Sequence, residues 1–398
     1  MTWLEWERAR AYAVIAACGW IALLVLIIRS LRDGVDAQGH LLGGDFVSFW
    51  AASRLVMTGW AADAYVQSVH YLAQLASSAT DVQAFFYPPT YLLLCAPLAL
   101  LPYFPALIVF QAATGGAYLW TLRSILCSRW AYVAALTSPL VGTNLIAGQN
   151  AFLTTALMGS GLSLLDRRPR LAGVLLGLMA IKPHLAVVVP LALLFWRRWT
   201  TLVWAGGTAI CFIALSLIAF GWAAWAAFFE HTSAARAALE EGWVGYAKMQ
   251  SPFALALILG LPRVTAYLVQ AAVAACAVAV LAWAAWRRVP PALERSLIVV
   301  AGLLCTPFVL HYDMLLMMLP LAWMLRAWID DGFPPWSKLV LILVLVAPSV
   351  YVFRGPASFG APVTLAFGAY LVWLSAGAVR RAPHMAEAPS RTVSVGGA

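Results

Sequence analysis

Long apolar runs alternate with short polar stretches along almost the whole chain, from 11–28 near the amino terminus to 361–379 near the carboxyl terminus. Each run is roughly 15 to 25 residues, the length an α-helix needs to cross a bilayer. The runs are continuously apolar and show no alternation of apolar with polar residues, which argues against a transmembrane barrel. The pattern predicts an all-α, polytopic membrane protein. Crossings are expected at about 11–28, 105–122, 130–147, 151–166, 171–181, 184–196, 201–221, 264–286, 296–310, 313–327, 338–353 and 361–379, for a total of about 10 to 13. Residues 90–101 are short for a crossing and fit a re-entrant or interfacial helix. Over 46–76, aromatic and aliphatic residues recur at helical spacing among polar ones, the pattern of amphipathic helices lying along a membrane surface. Residues 1–380 are read as one transmembrane domain with outer loops at 29–90 and 222–250. The tail at 381–398 is rich in Pro, Ser, Gly and Ala and is expected to be disordered and cytoplasmic.

Charge orients these segments. Only 10% of the residues are charged, against 63% hydrophobic, and the net charge of +9 is spread over short loops. The basic clusters are Arg8/Arg10, Arg123/Arg129, Arg167/Arg168/Arg170, Arg197/Arg198, Arg287/Arg288/Arg295, Arg326/Lys338 and Arg380/Arg381/Arg391. Placing them all in the cytoplasm puts 17 of the 25 Lys and Arg residues on that side, as the positive-inside rule expects, with a cytoplasmic amino terminus. Because Arg170 and Arg197 then both face inward, 171–196 must be a hairpin of two short helices. Its turn is Lys182-Pro183-His184, where proline breaks the helix. The first run is followed by Arg29 and Arg32 with no small-residue cleavage site, so it is expected to stay as a helix. Short basic loops at a plasma membrane account for the charge without a nucleic-acid partner. The six cysteines (18, 95, 127, 211, 276 and 305) lie singly in or beside apolar runs and are expected to be buried free thiols.

The orientation uses only the basic clusters, yet it brings every interrupting polar motif to the outer face. Asp45 and Tyr87 fall in the 29–90 loop, Gln149 and Asn150 at one outer turn, Lys182 and His184 at a second, and His311 with Asp313 at a third. Ionisable groups at such places in a membrane protein are usually functional. The shared face points to a site. The 222–250 segment, with Trp222, Trp225, Trp243 and His231, either covers that site or anchors in the interface through its tryptophans.

In order along the chain stand GGDFVSFWAASRLVMTGWAADAYV, FFYPPTYLLLCAPLALLP, AGQNAFLTTALM and RLAGVLLGLMAIKPHLAVVVPLALLFWRRW. Taken together, these segments resemble glycosyltransferase family 87 over about residues 40–330. The resemblance implies a GT-C fold and a multi-spanning mannosyltransferase-type enzyme that takes its sugar from a polyprenyl-phosphate donor at the outer leaflet. It also implies an aspartate general base in the first outer loop, and the matching residue is Asp45. Where the family often carries a Ser-Pro-x-x-Trp-x-His type segment, this chain has Thr306-Pro307-Phe308-Val309-Leu310-His311.

Glycosyl transfer from a phosphate leaving group needs a base for the incoming hydroxyl and cationic or hydrogen-bonding groups for the departing phosphate. Asp45 suits the first role, although an aspartate before FVSFWAASRL equally suits a helix cap. Lys182, His184 and His311 are the candidates for the donor phosphate, with ordinary snorkelling to headgroups as the other reading of Lys182. Tyr87, Gln149, Asn150 and Arg54 are the candidates for substrate binding. Gln149 and Asn150 equally suit capping of the helix that begins at Ala151, and Arg54 equally suits contact with the bilayer. The expected partners are a polyprenyl-phosphate sugar donor, a lipid or glycan acceptor and membrane lipids. No cofactor is expected: there is no DxD, no HExxH, no Cys/His ligand spacing, no P-loop and no GxGxxG. A transporter or flippase of a lipid-linked substrate is the alternative, but such proteins place polar groups at the midplane of repeated halves.

Overall fold

The computed structural model describes residues 41–77, 83–126, 138–349 and 359–386, with scattered positions between 11 and 35 and at 136. Among these residues the chain is helical with no strands, only two isolated bridges, Val35–Leu41 and Met249–Leu310. The helices are α1 (Phe46–Met57), α2 (Gln67–Leu75), α3 (Pro89–Cys95), α4 (Tyr103–Leu126), α5 (Pro139–Ala147), α6 (Ala151–Ser163), α7 (Pro169–Gly177) and α8 (Val189–Phe195). After these come α9 (Trp199–Glu240), α10 (Pro252–Ile258), α11 (Arg263–Arg287), α12 (Pro291–Cys305), α13 (Met318–Asp331), α14 (Ser337–Val346) and α15 (Gly360–Ala386). Among the described residues, four stretches are long and apolar enough to cross a membrane: α9, α11, His311–Asp331 and Gly360–Arg380. Shorter apolar helices fill the space between them, so the protein is an all-α polytopic membrane protein. The expected crossing at 11–28, the first half of that at 130–147 and the end of that at 338–353 lie outside the described residues, apart from scattered helical positions.

The expected break in the 171–196 stretch is present. After α7 a 3-10 helix runs over Leu178–Ile181, Lys182 leaves helical geometry (φ −145°, ψ 65°), and a second 3-10 helix over Pro183–Ala186 leads into α8. Pro183 has no N–H to continue the ladder, so the chain turns there.

Four expectations change. Helix α1 is no surface helix: all eight residues from Phe46 to Ser53 are buried, because Phe46, Phe49 and Trp50 pack on Tyr103 and Phe110 of α4 and on Tyr87 and Tyr91. The segment after 221 is helical to Glu240, because Gly221 takes a positive φ (72°, ψ 173°) and the Ala-rich chain resumes its helix beyond the kink. The last helix runs to Ala386, past the expected boundary at 380; the remaining tail lies outside the described residues. Of the cysteines among the described residues, Cys95 is buried and Cys305 half-buried, whereas Cys18, Cys211 and Cys276 are exposed; Cys127 lies outside the described residues. An outer apolar face is the natural place for a thiol that meets lipid.

The helices join two poles. Helix α6 leads from Asn150 toward Asp166, α7 returns from Arg168 to Lys182, and α8 goes back from His184 toward Arg198. Helix α12 climbs from Arg295 to Thr306. At one pole Arg198 pairs with Asp166 and Glu294, and Arg295 pairs with Asp166 at 2.9 Å. Two basic clusters that charge alone placed on one side thus meet, through Arg198 and Arg295, on the acidic residue that precedes a third, Asp166. The other pole holds the polar motifs.

Candidate functional site

Asp45 is anchored by backbone. Its N–H donates to the carbonyl of Ala147 (3.0 Å), and the N–H of Gly43 donates to that of Ile146 (3.1 Å), which ties the loop before α1 to the end of α5. The approach is close enough that a Cβ on Gly148 would lie 2.9 Å from the Cα of Gly43, and Gly148 has φ +69°, so glycine is required there. Asp45 occupies the cap position of α1, but its side chain makes no capping bond. The carboxylate instead accepts from Nε2 of Gln149 at 2.9 Å.

Gln149 is fully committed. Its Oε1 accepts from the hydroxyl of Tyr87 (2.9 Å) and from the N–H of Asn150 (3.2 Å), and with two donors on the oxygen the amide must present its NH2 to Asp45. Asn150 does not cap α6. The first N–H of that helix, on Ala151, is taken by Oδ1 of Asn144 (3.1 Å), which leaves the Asn150 side chain to accept from Nζ of Lys182 (3.4 Å).

Lys182 does not snorkel. It is 4% exposed, donates to Oδ1 of Asp313 at 2.6 Å, and lies 5.0 Å from the ring centre of Tyr312 and 5.6 Å from that of Tyr87. The second oxygen of Asp313 accepts from the N–H of Leu310 (3.0 Å) and so fixes the start of the 3-10 helix over His311–Met317. The ring of His311 bonds to the backbone of Lys248, and His184 packs edge-on against Phe308.

Asp45, Tyr87, Gln149, Lys182, His184 and His311 all line one cavity of about 840 Å³, and Asn150 is buried in the wall behind it. Arg54 is elsewhere. It lies about 13 Å along α1 from Asp45 by helix rise, stacks on the Trp50 ring (5.0 Å) and borders a separate shallow hollow, so the structure does not bring it to the site.

Residues 85–307, more than half of the chain, match the sequence family described as glycosyltransferase family 87. The chain belongs to that family. It is accordingly a membrane glycosyltransferase. No curated protein and no solved structure matches the chain. The family match spans Tyr87, Gln149, Asn150, Lys182 and His184, and the structure adds Asp45 and His311 to the same cavity from either side of it.

In this glycosyltransferase the carboxyl of Asp45 is pushed above its ordinary value by burial, against the opposing pull of the Gln149 hydrogen bond and of the charges on Lys248 and Lys182. Among the described residues it has no ion pair and Gln149 is its one side-chain partner. That is the environment of a carboxylate that holds a proton more readily than a free aspartate.

Among the lining residues that sequence reasoning did not name as site residues are Arg236, Lys248 and Thr306. Lys248 carried one weak signal, since it belongs to the minority of basic residues left on the outer side by the charge rule. Asp313 was placed beside His311 at an outer turn without a role of its own; it is the buried partner of Lys182.

Proposed function

We propose that this glycosyltransferase moves a sugar, mannose, from a polyprenyl-phosphate donor to a lipid or glycan acceptor at the outer face of the plasma membrane, within a GT-C-type bundle. The observation that carries the reading is Asp45: a half-buried carboxylate at a cavity wall, oriented by a neutral amide and, among the described residues, in no ion pair. Asp45 takes the proton of the acceptor hydroxyl, whose oxygen attacks the anomeric carbon. The bond from that carbon to the phosphate oxygen breaks with its electron pair going to the phosphate, and polyprenyl monophosphate leaves.

A retaining mechanism would need a second carboxylate about 5 Å away as nucleophile. The other lining aspartate, Asp313, is occupied by Lys182 and the backbone of Leu310. A single displacement with inversion at the anomeric carbon follows. Lys248, His184 and His311 line the same cavity and are available to the developing phosphate charge.

Purified enzyme given radiolabelled polyprenyl-phosphate mannose and a membrane lipid extract should form labelled lipid or glycan without any gradient, which separates transfer from transport. Asp45→Asn keeps the size and the contact to Gln149 but cannot take the proton, and turnover should fall by about 10² to 10⁴-fold. Turnover near the wild-type rate in that variant removes Asp45 from the chemistry.

A further inference from the structure

Of the three lysine and arginine side chains in the cavity wall, two are already engaged. Lys182 and Asp313 are 4% and 1% exposed and 2.6 Å apart, so the pair brings no net charge to the cavity. Arg236 pairs with Glu240 at 2.8 Å. Lys248 is exposed into the cavity, and no hydrogen bond or ion pair holds its ammonium among the described residues.

Its position is nonetheless built. Met249 pairs with Leu310 in an antiparallel bridge, the N–H of Gln250 donates to the carbonyl of Val309 (2.7 Å), and the ring of His311 bonds to the backbone of Lys248. On the other side the amide of Gln250 ties the segment down twice, by donating to Ala247 (2.9 Å) and by accepting from the N–H of Gly360 (2.7 Å). A two-stranded clip therefore carries Lys248 and His311 together to the wall. The charge of Lys248, like that of Lys182, acts on Asp45, so the clip and the proposed base share one electrostatic environment.

We propose that Lys248 and the imidazole of His311 form the seat of the lipid phosphate, and that Lys182 with Asp313 is the strut that holds the wall behind it. The assignment rests on the polyprenyl-phosphate reading given above. The donor is a phosphodiester with one negative charge, and the departing polyprenyl monophosphate gains a second as the glycosidic bond breaks. An unpaired ammonium responds to that added charge, whereas one already neutralised at 2.6 Å by a carboxylate responds far less.

The test uses the full-length enzyme in lipid nanodiscs, with polyprenyl monophosphate as inhibitor and polyprenyl-phosphate mannose as varied substrate. Lys248→Met should weaken inhibition by polyprenyl monophosphate by about 10 to 100-fold, the loss expected for one charge-assisted hydrogen bond. It should also raise the donor KM. Lys248→Arg should recover most of both. Since Lys248 is exposed, the melting temperature of either variant should match the wild type, which separates binding from folding. An unchanged inhibition constant in Lys248→Met, with a wild type that turns over the donor, overturns the assignment and leaves the donor reading standing. A wild type that neither uses polyprenyl-phosphate mannose nor responds to polyprenyl monophosphate overturns the donor reading, and the Lys248 seat with it.

Discussion

At the residue scale the site turns on which of two equivalent side chains does the capping. The sequence offers Asp45 and Asn150 as good helix caps, and both are released from that duty. Helix α1 starts with no side-chain cap, and Asn144, seven residues upstream of Ala151, takes the first N–H of α6. Sequence spacing shows the candidates but not this exchange, because it depends on how the end of α5 folds back over α6. Gln149 is the residue that holds the released carboxylate, and in the proposed mechanism it tunes the base. Burial raises the Asp45 pKa and the Gln149 amide opposes the rise. The sign of a test follows. Asp45 works as a base only when ionised, so activity falls as pH drops through its pKa. Gln149→Met deletes the donor and leaves burial in force; the pKa moves further up, and the acid limb of the rate profile should shift to higher pH than in the wild type. A limb that stays in place, or moves to lower pH, breaks the link between Gln149 and the base.

At the element scale the broken helix between α7 and α8 does the positioning. The proline and the need to return between two basic clusters made the break legible in the sequence. The partner of Lys182 was not, since Asp313 lies 131 positions away along the chain. The pair ties the hairpin turn to the 3-10 helix over His311–Met317, and both of its members are almost wholly buried. Removing one member of such a pair strands the other charge, at a cost of about 3 to 5 kcal/mol, whereas an apolar pair of similar volume often restores stability. Lys182→Met should therefore lower the thermal stability of the detergent-solubilised protein markedly, and Lys182→Met combined with Asp313→Leu should regain most of the loss. A double variant as unstable as the single one would show that the two positions are not coupled. Helix α1 shows the opposite kind of illegibility. Its apolar face and the helix it packs on, α4, were both visible, but periodicity does not say that the loop carrying Tyr87 and Tyr91 brings the two ring-on-ring together. The neighbouring α2 is fixed by a polar ladder instead: His70 bonds to the carbonyl of Ser48 (3.0 Å) and to Gln74 (2.9 Å), which in turn holds the backbone of Gln83.

At the scale of the whole molecule, the charge rule and the structure agree on which loops lie together. Helices α6, α7, α8 and α12 each have one end near the Asp166–Arg198–Arg295 network and the other near the cavity. The split was legible because basic residues respond to a membrane-wide bias and each loop reports it independently. Which pole faces outward is a matter of absolute orientation, and the two poles offer well-placed reporters. Trp243 is exposed at the cavity rim and Arg168 is exposed beside the ion-pair network. In a variant with the native cysteines replaced by serine, Trp243→Cys should react with a membrane-impermeant maleimide on intact cells. Arg168→Cys should react only after the membrane is opened. The distribution of bases makes this the expected result, since the pole with Arg167, Arg168, Arg170, Arg197 and Arg198 belongs inside. Labelling of Arg168→Cys on intact cells, with Trp243→Cys protected, would invert the protein and move the cavity to the cytoplasmic leaflet. An outer-leaflet acceptor would then be out of reach.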